Sequence, residues 1–208
     1  MCHPRESWNI YYFRTLFFIS PHITLVYNLQ IHSEEITDIK NLINITIMIS
    51  KKLQDAMNDQ ISAEMWSSNL YLSMSLYFAK EGYEGFAQWM KIQSLEELEH
   101  AHRFADFIIK RDGEATVNKI DTVPTGWGRP IEVFEHALGH ETRISNLIDK
   151  LLDLAQAEND KAAQHFLWEF VKEQIEEEST VRSIVDKLKI AGDTGLYEID
   201  KFLATRVK

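Results

Sequence analysis

Gly85-Phe86-Ala87-Gln88-Trp89-Met90-Lys91-Ile92-Gln93-Ser94-Leu95-Glu96-Glu97-Leu98-Glu99-His100-Ala101-His102-Arg103-Phe104 is the stretch whose reading decides the fold. Taken at steps of three and four, it yields Phe86, Met90, Gln93, Glu97, His100 and Phe104, a face apolar at both ends and polar in its middle. Apolar residues at that period mark an amphipathic helix with one side turned to a core. A carboxylate and an imidazole on that side are out of place. Alone they carry little, because Glu-x-x-His recurs by chance and a single helical Glu is usually solvated or salt-bridged. The pair gains meaning only if neighbouring helices repeat the pattern.

They do. From Lys51 onward the apolar period is helical, with no alternating strand pattern. The spacing predicts four long helices, at about 51–80, 84–111, 130–158 and 161–190, and a short fifth at about 195–206. Gly82, Asp112-Gly113 and Gly192 mark stops, and Pro130 suits a first helical turn. The first helix presents Met57, Ile61, Glu64, Ser68, Tyr71, Ser75 and Phe78 inward. The third presents Phe134, Leu138, Glu141, Ser145, Ile148, Leu152 and Ala155, and the fourth Leu167, Phe170, Gln174, Glu177, Val181, Ile184 and Leu188. Each face is apolar near its ends and polar near its middle.

The polar residues also agree in height. Counted from Gly82, Glu64 is 18 residues away, Glu97 is 15 and His100 is 18. Counted from Asp160, Glu141 is 19 residues away, Glu177 is 17 and Gln174 is 14. At about 1.5 Å per residue these groups share a slab roughly 8 Å thick. Four carboxylates buried together are very unfavourable unless protonated or paired with cations. No Lys or Arg lies on the four faces as written, so bound metal is the natural counter-charge. An oxygen-rich set with one imidazole favours iron or manganese over zinc.

The connections fix the topology. Short links join the first helix to the second and the third to the fourth, so each pair is expected to be antiparallel. Residues 113–129, with Gly113, Pro124, Gly126 and Gly128, carry no strong period. That linker can reach roughly 55 Å, against about 42 Å for a 28-residue helix, so it can run the length of the bundle. The expected fold class is all-α, a four-helix bundle with one long crossover between the second and third helices and a short C-terminal helix. One long crossover is the ferritin-like topology.

From about Met48 to the C-terminus the chain resembles a bacterial non-haem ferritin. The residues that carry the resemblance are Glu64 with Tyr71, Glu96-Glu97-Leu98-Glu99-His100, Glu141, and Glu173-Gln174-Ile175-Glu176-Glu177. The closing segment Gly195-Leu196-Tyr197-Glu198-Ile199-Asp200-Lys201 also resembles the family's last helix. The resemblance implies one iron site from Glu64, Glu97 and His100, and a second from Glu97, Glu141 and Glu177 with Gln174 close by. Glu96, Glu173 and Glu176, with Glu177, match a third iron site of bacterial members. It further implies ferroxidase activity on Fe(II) with O₂ or peroxide, and ferric mineral stored inside a 24-subunit homo-oligomeric cage. One departure separates subfamilies. Bacterioferritins carry a second Glu-x-x-His on the last bundle helix, where this chain reads Gln174-x-x-Glu177, so no haem is expected.

Other features set bounds. Tyr71 lies two turns from Glu64 and reads equally as a core aromatic or as a redox or metal-supporting residue. His102, His136, His140 and His165 fall off the inward faces and are expected at the surface, as is Glu178. A formal net charge of −10 disfavours nucleic acid and anionic membranes as partners. The single cysteine, Cys2, leaves no disulfide framework or Cys₄ module and points to a cytoplasmic setting. Residues 1–47 read differently. Their apolar run is broken by Arg14, Pro21 and His22 and lacks a clean cleavage site. They are expected to lie outside the functional domain of 48–208, with Met48 as the true start; an anchor or targeting segment is the alternative. Two functional alternatives also stay open, a di-iron oxidase or peroxidase that forms no cage, and a structural bundle whose polar layer only fixes register.

Overall fold

The computed structural model describes residues 48–206, so the expectations for residues 1–47 and for Cys2 lie outside the described residues. Four long helices, α1 (Lys51–Glu81), α2 (Glu84–Lys110), α3 (Pro130–Ala157) and α4 (Lys161–Ala191), are followed by a 3₁₀ turn at Asp193–Gly195 and α5 (Leu196–Leu203). No strand occurs among the described residues. The long helices match the predicted spans to within a residue at each end. The last is shorter than expected, because the 3₁₀ turn takes up Gly195 and the helix stops at Leu203.

Local chemistry accounts for the ends. The Ser50 side chain accepts from the Leu53 amide at 3.1 Å and starts α1. Gly82 ends it at φ +86, a left-handed position that glycine takes without steric cost. Asp160 starts α4 by accepting from the Ala163 amide at 3.0 Å. Arg111 grips that same carboxylate with two bonds of 3.0 and 2.9 Å, tying the end of α2 to the α3–α4 turn.

The helices pair α1 with α2 and α3 with α4, while α5 packs on α2 and α4. The crossover lies along α1. Gln54 and Asn58, near its start, bond the backbone of Glu114 and Thr116 at 2.9–3.0 Å. Ser73 and Tyr77, near its end, donate to the carbonyls of Pro124 and Gly128 at 2.7 and 3.0 Å. A segment without periodicity of its own is thus held by polar side chains from the helix it follows, and α3 begins at the Gly82 end of the bundle.

The apolar core is split in two. One cluster holds Leu70, Met74, Phe78, Phe86, Met90, Phe134 and Val181; the other holds Leu53, Met57, Ile61, Phe104, Ile148, Leu167 and Phe170. The polar layer lies between them.

Candidate metal centre

The residues expected in that layer are brought together. Glu64, Glu97 and His100 each offer one ligand atom within 4.8 Å of the others, and so do Glu97, Glu141 and Glu177. Glu97 belongs to both groups. Glu64, Glu97 and Glu141 are at most 1 % exposed, and His100 and Gln174 are also buried. Four helices supply them, α1 with Glu64, α2 with Glu97 and His100, α3 with Glu141, and α4 with Gln174 and Glu177.

Three of the four inner carboxylates are held by neutral donors. Gln60 donates to Glu64 Oε1 at 2.8 Å, and Gln93 donates to Glu97 Oε1 at 3.2 Å, both one helical turn earlier in the same helix. The Tyr71 hydroxyl donates to Glu141 Oε1, and Gln174 donates to Glu141 Oε2 at 3.3 Å. Gln174 therefore meets the layer through its amide nitrogen. Two atoms have no donor at all. Glu64 Oε2 and Glu177 Oε2 are buried without a hydrogen-bond partner. Such orphans are costly in a folded protein unless a cation pairs with them, so the residues present fit a metal ion.

The electrostatics agree. Burial, reinforced by Glu97, pushes the Glu64 carboxyl well above the ordinary range. Burial and Glu141 do the same to Glu97; burial and Glu97 do so to Glu177, and burial lifts Glu141. Without a cation burial favours the protonated form of these groups; a divalent ion reverses that preference. The Tyr71 phenol is raised by burial and by Glu141, so it stays a hydrogen-bond donor.

The expected third set lies in an open cleft beside this layer. The cleft, of about 400 Å³, is lined by Glu96, Glu99, His100, Glu173, Glu176 and Glu177 with Arg103 and Arg206. Two of the three residues expected there are already paired. Arg103 donates to Glu173 at 2.6 Å, and Arg206 pairs with Glu96. Cations that the inward faces lacked thus come in from the flank of α2 and from beyond α5. Glu173 also lies 3.6 Å from His100 Nε2, while His100 Nδ1 lies 3.5 Å from Glu97 Oε2. Glu173 therefore faces the far side of the imidazole, where a carboxylate orients a metal-binding histidine.

Other placements depart from expectation. His140 is buried, bonded to Ser67 Oγ at 2.8 Å and to Arg143 at 3.1 Å, beside Trp66 and Tyr71. It sits one residue from Glu141, so the face of α3 that meets α1 is wider than a narrow seam. His102, His136 and His165 are exposed as expected. Glu178 turns toward α3, accepting from Ser145 Oγ at 2.6 Å, where a solvent-facing side chain was expected. Gln60 was missed altogether. Its signal is in the sequence, since Gln-x-x-x-Glu occurs on both helices of the first pair, at Gln60–Glu64 and Gln93–Glu97.

Residues 54–191 match the model of the ferritin-like domain. The chain belongs to the ferritin family. It is similar to a bacterial non-haem ferritin of Bacteroides fragilis, with 64% identity over 159 residues that span 76% of this chain and all of that one. A bacterial non-haem ferritin of Escherichia coli O157:H7 is 32% identical over 160 residues, 76% of this chain and 97% of its own. Among solved structures, an open-pore ferritin of the hyperthermophilic archaeon Archaeoglobus fulgidus superposes with a TM-score of 0.75 at 40% identity. It covers 76% of this chain and 98% of its own length. The bundle and its short last helix are thus those of a ferritin. Among the described residues no helix is long and apolar enough to cross a membrane.

Proposed function

We propose that this ferritin-family chain is a ferroxidase and iron store. It takes Fe(II) as substrate at the layer between α1 and α4, oxidises it with O₂ or peroxide, and keeps the ferric product inside a 24-subunit cage. The observation that carries the reading is the pair of ligand groups sharing Glu97, with two buried carboxylate oxygens left without donors. Glu64, Glu97 and His100 would hold one iron, and Glu97, Glu141 and Glu177 the other. Each Fe(II) gives up one electron, so a pair at one carboxylate supplies the two that O₂ needs to reach hydrogen peroxide.

The side chains have distinct parts in this. Gln60 and Gln93 each occupy one oxygen of Glu64 and Glu97, which leaves the other oxygen to the substrate. Tyr71 and Gln174 hold Glu141 from opposite sides. Glu96, Glu173 and Glu176, with Glu177, form a third position at the cleft. Membership of the ferritin family, and relatives matched over their whole length, support the storage and assembly parts. Residues 48–208 are the functional domain, and the setting is cytoplasmic. Intact mass of the native protein tests the start at Met48.

The deciding experiment is Fe(II) addition in air to the metal-free protein, followed by ferric absorbance and a sizing column. Fast oxidation with iron in a particle of several hundred kilodaltons is expected. Oxidation by a monomer or dimer would leave a di-iron oxidase without storage, and a protein that retains no iron would leave a structural polar layer.

A further inference from the structure

Arg206 lies three residues beyond Leu203, the last buried residue of α5, yet its guanidinium reaches back into the cleft beside the carboxylate layer. One amino group pairs with Glu96; the other donates to Gln93 Oε1 at 3.0 Å and toward the Trp89 carbonyl at 3.5 Å. The guanidinium carbon stands 4.6 Å from the centre of the Trp89 ring. Gln93 in turn spends its amide nitrogen on Glu97. With its oxygen fixed by Arg206, the Gln93 amide can present only its NH₂ to the shared carboxylate. A C-terminal cation is therefore linked through one side chain to the centre of the inner layer, and it also neutralises an outer carboxylate.

We propose that Arg206 is the built-in counter-cation of the cleft, a positioning residue that holds Glu96 and the Gln93 amide until an entering metal cation displaces it. The inference rests on the metal reading of the site. A guanidinium and a divalent cation compete for the same Glu96 oxygens, since bringing both to one carboxylate sets like charges side by side. Arg103 is engaged on the other side of the cleft with Glu173. It stands in the middle of α2, where it also lies 3.6 Å from Glu169 and stacks 4.1 Å from the centre of the Phe170 ring. Arg206 follows the buried anchors Ile199 and Leu203, so it can move without unpacking α5. Release costs the Glu96 pair, the bonds to Gln93 and Trp89 and the stacking on the Trp89 ring, but leaves the buried anchors of α5 in place.

The test is anaerobic titration of the metal-free full chain with cobalt(II), using calorimetry for stepwise affinities and visible absorbance for the inner pair. The unaltered chain should bind two ions tightly and a third more weakly. Arg206→Ala should tighten the third by several-fold to about ten-fold, the range set by one charge-assisted pair, or reveal a third site that the unaltered chain lacks. Arg206→Lys, which keeps the charge, should return most of the way to the starting affinity. Arg182→Ala removes an equal charge from an exposed side chain that pairs with Glu178, and it should change nothing. An unchanged third affinity in Arg206→Ala, an equal gain in Arg182→Ala, or two ions and no third in every variant would overturn the inference while leaving the inner site intact. No cobalt binding by the unaltered chain would overturn the metal reading, and this inference with it.

Discussion

The Tyr71 hydroxyl donates to Glu141 across the bundle, from α1 to α3, with both side chains fully buried. The α1–α3 contact is thereby joined to the carboxylate layer by one hydrogen bond. Trp89 and His140 pack against the same phenol ring, at 6.5 and 6.0 Å between centroids. Their packing fixes where the hydroxyl points.

Tyr71→Phe keeps the ring and removes the donor. A buried carboxyl oxygen then loses its partner, which costs about 1–3 kcal/mol. Chemical denaturation of the metal-free protein should report that loss, and initial Fe(II) oxidation should slow while the bundle stays folded. An unchanged midpoint would mean that the bond contributes nothing to the metal-free state.

Glu97 is the member common to both ligand groups, so its removal should affect both ions at once. Glu97→Ala should abolish the rapid phase of Fe(II) oxidation and leave the helical content unchanged. Near-normal initial rates in stopped-flow absorbance would refute the assignment of Glu97 as the shared carboxylate.

The layer was legible in the sequence because it breaks a period. Glu64, Glu97, Glu141 and Glu177 fall on faces that are otherwise apolar, and counting residues from two turns set them at one height. Helix ends were legible from Gly82, Asp112-Gly113, Pro130 and Gly192. What was missed has physical reasons. Gln60 lies one position from the chosen face, and only its bond to Glu64 gives it a role. His140 looks like a surface residue when a face is drawn as a single row, yet a helix packed between two neighbours buries a wider sector. Arg103 and Arg206 reach the cleft along side chains too long for a periodicity argument to place. The course of the crossover beside α1 is fixed by polar side chains at Asn58, Ser73 and Tyr77, which leave no mark in hydropathy.

The raised carboxyls make metal-free stability depend on pH with a definite sign. Glu64, Glu97, Glu141 and Glu177 bind protons more tightly folded than unfolded, so their contribution is complete below pH 4.5 and is lost as pH rises. His140 has the opposite sign. Burial, with Arg143 beside it, drives it down from 6.5 to about 3, so its contribution is complete above 6.5 and is lost on acidification. Each group adds a slope of at most about 1.4 kcal/mol per pH unit. The metal-free protein should therefore weaken above neutral pH, and Glu97→Gln should flatten that limb. A second consequence is proton release when metal binds at pH 7. Denaturation midpoints across pH 5 to 9 and a pH-indicator titration with cobalt(II) check both; no released protons would contradict the raised carboxyls.

Glu173 has two neighbours that imply two effects. It lies 3.6 Å from His100 Nε2 and 2.6 Å from Arg103. Loss of a carboxylate that orients a metal-binding histidine commonly costs about 10–100-fold in affinity. Glu173→Ala should therefore weaken the ion held by Glu64, Glu97 and His100, as well as alter the later phase of iron turnover expected of a third-site residue. If calorimetry finds the first ion unaffected, Glu173 serves the cleft alone.

Gly85 sets how closely α5 can approach the start of α2. A side-chain Cβ there would lie 1.7 Å from the Asp200 carbonyl oxygen, with backbone on the other side and nothing flexible to give way. Asp200 is also the residue whose carboxylate accepts from the Phe86 amide at 2.9 Å, satisfying a donor at the open end of α2. Gly85→Ala must push α5 outward, break that bond and loosen Ile199 and Leu203, at a cost of about 1–3 kcal/mol typical of an overpacked contact. The inner ligands come from α1 to α4 and do not touch α5. The variant should therefore lose stability on denaturation yet keep its first, fast phase of Fe(II) oxidation. A variant that oxidises iron slowly from the first turnover would mean that the last helix supports the carboxylate layer itself, through Arg206 and Gln93.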